Sequence, residues 1–433
     1  MRKLWSVILG LAVLPTATLT ASAQKQGVIV RDRMGALHLS VLCPLLGCNV
    51  VRGLGDPLNQ VFLVVPTSIN LGALLQLLQV QTGIVDAELD QILNLQSPTL
   101  TFIPGGLSDT TAVSYFGTIV WDGYVHQPAN LIVRTSAAQN QFHVSGSGIV
   151  AIIDTGLDPQ HPALAPVVLP GYDFTRNTSG ADEKGDLDHS TAAVLDGGGA
   201  GLPLYVTPWL AAVVTPAGAA ALGDPRYAAF GHGTMTAGIV HMVAPTAQIL
   251  PLKAFSSDGT GYLSNIVRAV YFAAGQNSNV LSMSFSFYNY STEIANAISY
   301  ANSRGMICVA AAGNDGQEIR VYPASLGNVM GIASTSDADT RSSFSNYGSQ
   351  VVWVGAPGEN IISTYPYNTY SSSSGTSFST PFVSGTAALL VNINRNMSES
   401  AAAAAIAHAK YISPDLNHGR LDVSLAVGAS KYH

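Results

Sequence analysis

From Gly148 onward the chain alternates short, mostly apolar runs with longer segments of helical length, and few folds accept that pattern. The runs Ile149–Ile153, Ile249–Ala254, Val280–Phe285, Met306–Ala311 and Val329–Ala333 have no wet face, so they belong in a sheet covered on both sides. Between and after them, Leu263–Ala274, Thr292–Arg304 and Phe378–Asn392 have the length and composition of helices. The fold class read from this is α/β, with a mostly parallel central sheet and helices on both faces. In such sheets functional side chains collect at the carboxyl ends of strands.

The segment before this region has a different character. Val28–Arg31 and Val61–Val65 read as strands, Leu71–Gln81 has the spacing of an amphipathic helix, and Asp86–Leu95 supplies a further element. Residues 24–110 therefore form a small α+β unit, the Pro98–Gly106 stretch reads as a connector, and 111–433 is the large domain. Pro44 and Gly47 oppose a helix between Cys43 and Cys48, which leaves a local disulfide or two lone thiols. Residues 1–23 read as a secretory signal: Arg2 and Lys3 precede the apolar stretch Leu4–Leu14, and Ala21-Ser22-Ala23 is a small-residue cleavage site. An exported protein, extracellular or periplasmic, is expected.

Charge narrows the function. Only 45 of 433 residues are charged and the net charge is -7, so nucleic acid is excluded as a partner. The sparse charge also requires Ser, Thr, Asn, Gln and Gly to cover the surface. Leu202–Leu222 is nearly all apolar, but Pro203, Pro208 and Pro216 would interrupt a membrane helix, so it reads as part of a loop insertion around residues 175–230. No membrane span is expected once the signal is removed.

Four places carry chemistry. Asp154 ends the run Ile149–Ile153 and opens Asp154-Thr155-Gly156. That tripeptide also marks aspartic proteases, which need a second such acid, and no second Asp-Thr-Gly or Asp-Ser-Gly occurs. His232 stands between Gly231 and Gly233 ahead of a small-residue helix, where the glycines leave the imidazole accessible from both sides. His161, His189 and His241 lack that setting and read as structural or solvated. Ser377, in Gly375-Thr376-Ser377-Phe378-Ser379-Thr380-Pro381, precedes a long apolar helix whose unpaired N–H groups favour developing negative charge. Asn314 follows Ala310-Ala311-Ala312-Gly313 at a strand end, where its amide can donate to an oxyanion. Taken singly, these are a strand exit, a helix-start histidine, an N-cap serine and a turn.

Together, in the order Asp, His, Ser, they resemble the subtilisin-like serine peptidases from about Trp121 to the C-terminus. Asp158-Pro159-Gln160-His161-Pro162, Val243-Ala244-Pro245 and Gly419-Arg420-Leu421-Asp422 support the resemblance. It implies a secreted serine endopeptidase with Asp154, His232 and Ser377 as triad and Asn314 in the oxyanion hole, the last worth on the order of 100- to 1000-fold in turnover. Substrates would be proteins or peptides, added as a strand between Gly259-Thr260-Gly261 and Ser284-Phe285-Ser286. Ser286 and Val321 stand where the family often has smaller residues, which implies a tighter primary pocket, and Asp315 would give it an acidic rim. The resemblance also implies a zymogen in which residues 24–110 are an inhibitory propeptide cleaved within Pro98–Trp121; a permanent accessory domain is the alternative.

No cofactor is required for this chemistry. A structural calcium ion is common in the family, and Asp182, Glu183, Asp186 and Asp188 offer some of the six to eight oxygens it takes, although their spacing does not match an EF-hand loop and an acidic surface turn is the favoured reading. A rival reading from another class is a binding protein that keeps the fold without catalysis; the filled catalytic positions oppose it.

Overall fold

The computed structural model of the chain describes residues 25–95, 103–196, 204–206 and 210–431; the expected signal segment lies outside them. Eight strands form the main sheet, in the spatial order Thr178–Ser179, Tyr172–Asp173, Gln248–Lys253, Ile149–Asp154, Val280–Met283, Ile307–Ala311, Met330–Thr335, Val354–Pro357. Only the Thr178–Ser179 edge runs antiparallel to its neighbour. The strand Ile149–Asp154 sits where the order reverses, with later strands on either side of it. Its carboxyl end is therefore the switch-point crevice, the place in such a sheet where a ligand fits.

Alternation along that strand explains why the sheet needs helices on both faces. Val150 and Ile152 join one buried cluster with Val240 and Phe382 from the helices His232–Val243 and Thr376–Ile393. Ala151 and Ile153 join the other, with Ile266 and Ile298 from Leu263–Gly275 and Thr292–Ser303. The expected fold class, α/β with a mostly parallel sheet, stands.

The N-terminal unit is a four-stranded antiparallel sheet, Val28–Asp32, Cys48–Gly53, Val61–Pro66 and Ile84–Leu89, with two helices. The second helix, Leu71–Gln79, is capped by Asn70 as its sequence implies. The first corrects the sequence reading: Ala36–Leu46 runs through Pro44. Proline removes one i→i−4 bond, but the carbonyl it orphans belongs to exposed Ser40, which water can reach. Gly47 ends the helix in the left-handed region at φ 73°, and this turn brings Cys43 and Cys48 to a Cα separation of 4.7 Å and a disulfide.

One face of this small sheet covers its own helices and the other is buried against the large domain, where Ile29 and Leu63 share a core with Ile266 and Val270. Polar contacts complete that interface. Glu88 accepts from Ser291 Oγ at 2.6 Å and Thr292 N at 3.1 Å, and Asp90 accepts from Ser264 N at 2.8 Å, so two acids meet the N-termini of the two helices beneath them. Arg31 pairs with buried Glu293 at 2.6 Å.

The described part of the apolar insertion contains regular structure. Ala211–Val213 pairs with Thr369–Ser373 as part of a second sheet, and Pro216 begins a short helix after the N-cap Thr215. Among the described residues no helix is long and apolar enough to cross a membrane.

Candidate active site

Asp154 is the last residue of its strand, 1% exposed, and its Oδ1 accepts from His232 Nδ1 at 2.7 Å and from Thr155 N at 2.7 Å. Thr236 Oγ1 approaches the other oxygen at 3.2 Å. The carboxylate thus fixes the imidazole with the proton on Nδ1 and leaves Nε2 as a proton acceptor.

The flanking glycines serve packing instead of access, which corrects the sequence reading, since His232 is only 6% exposed. Gly231 has φ 86°, and a Cβ there would lie 2.0 Å from the Tyr365 ring; a Cβ on Gly233 would lie 1.8 Å from Gly156 O. Only glycine lets the helix start this close to the strand exit.

Ser377 is the second residue of the helix Thr376–Ile393 and 6% exposed. Its hydroxyl donates to Ser284 O at 2.8 Å, and Ser284 Oγ donates back to Ser377 O at 2.9 Å. Pro381 explains the second bond: four residues on, it has no N–H for the Ser377 carbonyl, and Ser284 takes that place. Ser377 Oγ is therefore turned to the Ser284 carbonyl, and a change of side-chain rotamer is needed before it can donate to His232.

Asn314 Oδ1 accepts from Thr376 N and Thr376 Oγ1, both at 2.9 Å, which fixes the amide with its nitrogen as the donor end. Ser284, Phe285, Ser286, Asn314, Asp315 and Ser377 line one cavity of about 190 Å³. Asp315 accepts from Tyr288 Oη at 2.6 Å and Asn346 Nδ2 at 2.9 Å. Val321 is fully buried among core residues and does not line this cavity, so the sequence argument for a tighter pocket keeps only Ser286.

The far wall of the cavity is the chain's own N-terminal unit. Ile92–Asn94 pairs antiparallel with Thr260–Tyr262, Leu93 opposite Gly261, and Leu95 N donates to Gly259 O at 2.9 Å. The segment Gly259-Thr260-Gly261, expected to pair with an extended peptide, thus already carries a strand.

The acidic residues expected as calcium ligands do not fit a cation site. Asp186 pairs with Lys253 at 2.6 Å and Arg176 at 3.1 Å. Asp182 accepts from Lys184 N, and Asp188 accepts from Thr191 N and Tyr227 Oη. Glu183 is 1% exposed and points inward, so the surface-turn reading fails for it too. Burial pushes its carboxyl up to about 8, against hydrogen bonds from Thr234 and Gly231 and the charge of Lys253. Among the described residues no three His, Cys, Asp or Glu side chains converge as a metal-holding group.

His189 is exposed, whereas His161 and His241 are buried, each with its pKa pushed down to about 4 by burial. Because the folded pKa lies below the ordinary 6.5, their neutral forms stabilise the fold fully above that pH. That contribution is lost as pH falls from 6.5 toward 4, up to about 3 kcal/mol per histidine. The unfolding midpoint of a Ser377→Ala chain, which removes self-digestion, should drop across this window, and His241→Gln should reduce the drop. A midpoint independent of pH there would contradict this account.

Comparison with known proteins gives one consistent result. Residues 146–429 match the model of the subtilase family, Peptidase_S8. Thermitase of Thermoactinomyces vulgaris is 38% identical over 281 residues, 62% of this chain and 84% of thermitase. A thermophilic serine proteinase of Bacillus sp. (strain AK1) is 35% identical over 276 residues, 64% of this chain and 59% of that protein. Among solved structures, that of a cold adapted subtilisin-like serine proteinase superposes with a TM-score of 0.50 at 27% identity, covering 64% of this chain and 89% of that one.

Proposed function

Since the chain belongs to the subtilase family and is a subtilisin-type serine endopeptidase, we propose that Asp154, His232 and Ser377 perform its chemistry, with Asn314 holding the oxyanion. The observation that carries this is the 2.7 Å bond between Asp154 and His232 at the switch point of the sheet, beside a cavity that Ser377 and Asn314 also line. Ser377 Oγ turns from Ser284 O to His232 Nε2, loses its proton to that nitrogen and attacks the substrate carbonyl. The new C–O bond places negative charge on the carbonyl oxygen, toward Asn314 Nδ2. His232 then returns the proton to the leaving amine, and water repeats the sequence to release the acyl group. Asp154 holds the tautomer and stabilises the imidazolium. The route uses only the chain's own side chains.

The substrate is an extended stretch of protein or peptide, with Gly259-Thr260-Gly261 on one side and Ser284-Phe285-Ser286 on the other. Asp315 on the cavity wall favours basic groups near the scissile bond. Residues 24–110 act as an inhibitory propeptide: Ile92–Asn94 occupies the substrate strand position, and Leu95 lines the same cavity as Ser377. Maturation therefore cuts beyond Leu95. Residues 1–23 direct export.

The purified full chain, incubated with a fluorophosphonate probe, should carry the label on Ser377 once processed, and the N-terminus of the labelled form should lie after Leu95. Labelling at another serine would refute the nucleophile. An active form that retains Gly27 to Leu95 would refute the propeptide.

A further inference from the structure

We propose that Glu183 is a positioning residue for the His232 imidazole: its buried carboxylate fastens the strand exit after Asp154 to the first turn of the helix that begins at His232. This rests on the reading of Asp154, His232 and Ser377 as the triad.

The helix His232–Val243 begins at an N-cap, Gly231, that has no side chain to satisfy the free N–H groups of the first turn. Glu183 does this from outside. Its Oε2 accepts from Gly231 N at 2.9 Å, and its Oε1 accepts from Thr234 N at 3.2 Å and from the Thr234 hydroxyl. In a capping box those two backbone donors are shared between the N-cap and N3 side chains of one helix. Here a single carboxylate from a distant turn takes both.

The same carboxylate reaches the strand. Thr155 Oγ1 donates to Glu183 Oε2 at 2.9 Å while accepting from Gly233 N at 2.9 Å, so Thr155 is joined to the helix directly and through Glu183. Lys253 holds the other side of Thr155: its Nζ donates to Thr155 O at 2.8 Å, to Phe255 O at 2.7 Å and to Asp186 Oδ2 at 2.6 Å. Thr155, Thr234 and Lys253 have no exposed surface. Thr155 is bonded to Asp154, and Gly231 and Gly233 flank His232. Whatever sets the spacing between these backbones sets the spacing of Asp154 and His232.

The hydrogen bonds to Glu183 are shielded from water, where each is electrostatically stronger than at the surface. A helix cap alone would affect stability. A clip between the acid and the base affects turnover, because a displacement of about 1 Å in catalytic geometry costs on the order of 100-fold.

The test compares Glu183→Gln, Thr155→Val, Thr155→Ser and the double change Glu183→Gln/Thr155→Val in the full-length chain, after maturation, with active sites titrated by a fluorophosphonate. Gln keeps the shape but replaces one acceptor oxygen with a donor that cannot receive a backbone N–H. The expected result is a loss of about 10- to 100-fold in kcat per titrated site, with KM for a short peptide amide within about twofold. Thr155→Ser, which keeps the hydroxyl, should lose far less than Thr155→Val. The double change should lose much less than the product of the single losses, because both break the same link. A kcat for Glu183→Gln within about twofold of the parent with only a lowered unfolding midpoint would overturn the proposal. So would fully multiplicative losses. If Glu183→Gln does not fold, Thr155→Val against Thr155→Ser decides alone. A parallel Ser377→Ala chain separates the two ideas: activity surviving there removes the triad, whereas its loss with an unaffected Glu183→Gln removes only the clip.

Discussion

Replacing Ser377 with Ala should lower turnover of casein or a peptide amide by on the order of a million-fold, with the fold intact. The reaction cannot form its covalent intermediate without Oγ, and His232 then has no hydroxyl to deprotonate. Once an added, separable protease has removed the N-terminal unit that the variant cannot cleave itself, some acceleration over water should remain, about 10³- to 10⁴-fold, because Asn314 and the cleft still bind the strained carbonyl. The structural cost is small. Oγ donates a hydrogen bond to Ser284 O, worth about 1 kcal/mol, and Ser284 Oγ still has the Ser377 carbonyl that Pro381 leaves open. The measurements are steady-state hydrolysis and thermal unfolding of the same preparation. A loss of activity matched by unfolding would leave the chemistry without support, and full activity would remove Ser377 from it.

What the sequence made legible was whatever depends on nearest neighbours. Five buried strands show as mostly apolar runs because neither face meets water, and Asp154, His232, Asn314 and Ser377 stand out because each lies near the end of a strand or the start of a helix, within two positions of a glycine. Long-range polar pairing left no such trace. Glu183 and Lys253 look like surface charges until folding brings Thr155, Gly231 and Thr234 around them. The strands Ile361–Tyr365 and Thr369–Ser373 carry serines and threonines in place of an apolar run, so nothing in their sequence marks them as buried. Yet Ser363, Thr364 and Ser371 have no exposed surface; their hydroxyls donate to the carbonyls of Met235, Thr234 and Ala211 at 2.7, 2.8 and 2.8 Å. A chain so poor in charge was expected to use its hydroxyl side chains as surface. It uses many of them as internal hydrogen-bond donors, which satisfies backbone groups that close packing would otherwise orphan.

Asp154→Asn should cost on the order of 10⁴-fold in kcat at neutral pH and little stability. Both neighbours that require an acceptor, His232 Nδ1 and Thr155 N, address the same oxygen, Oδ1. An amide can keep its carbonyl there. Its NH₂ then replaces Oδ2, which faces the Thr236 hydroxyl, and that hydroxyl can accept because its own proton has a second destination, Gly233 O at 3.0 Å. The donors that address Oδ1 keep their acceptor and one N–H of the new amide finds the Thr236 hydroxyl, so the substitution is mainly a charge deletion with little rearrangement. The imidazolium formed as Ser377 loses its proton then has no counter-ion in a site where water is largely excluded, and the barrier rises. If the amide instead turns its NH₂ toward His232, the ring is forced into the tautomer whose Nε2 carries the proton and cannot act as base. Either orientation lowers kcat, and neither weakens peptide pairing along Gly259–Gly261, so KM should change little. Hydrolysis of a peptide amide with titrated active sites measures the split. A loss below tenfold with the unfolding midpoint unchanged would mean that the charge on Asp154 is not what prepares His232 for catalysis.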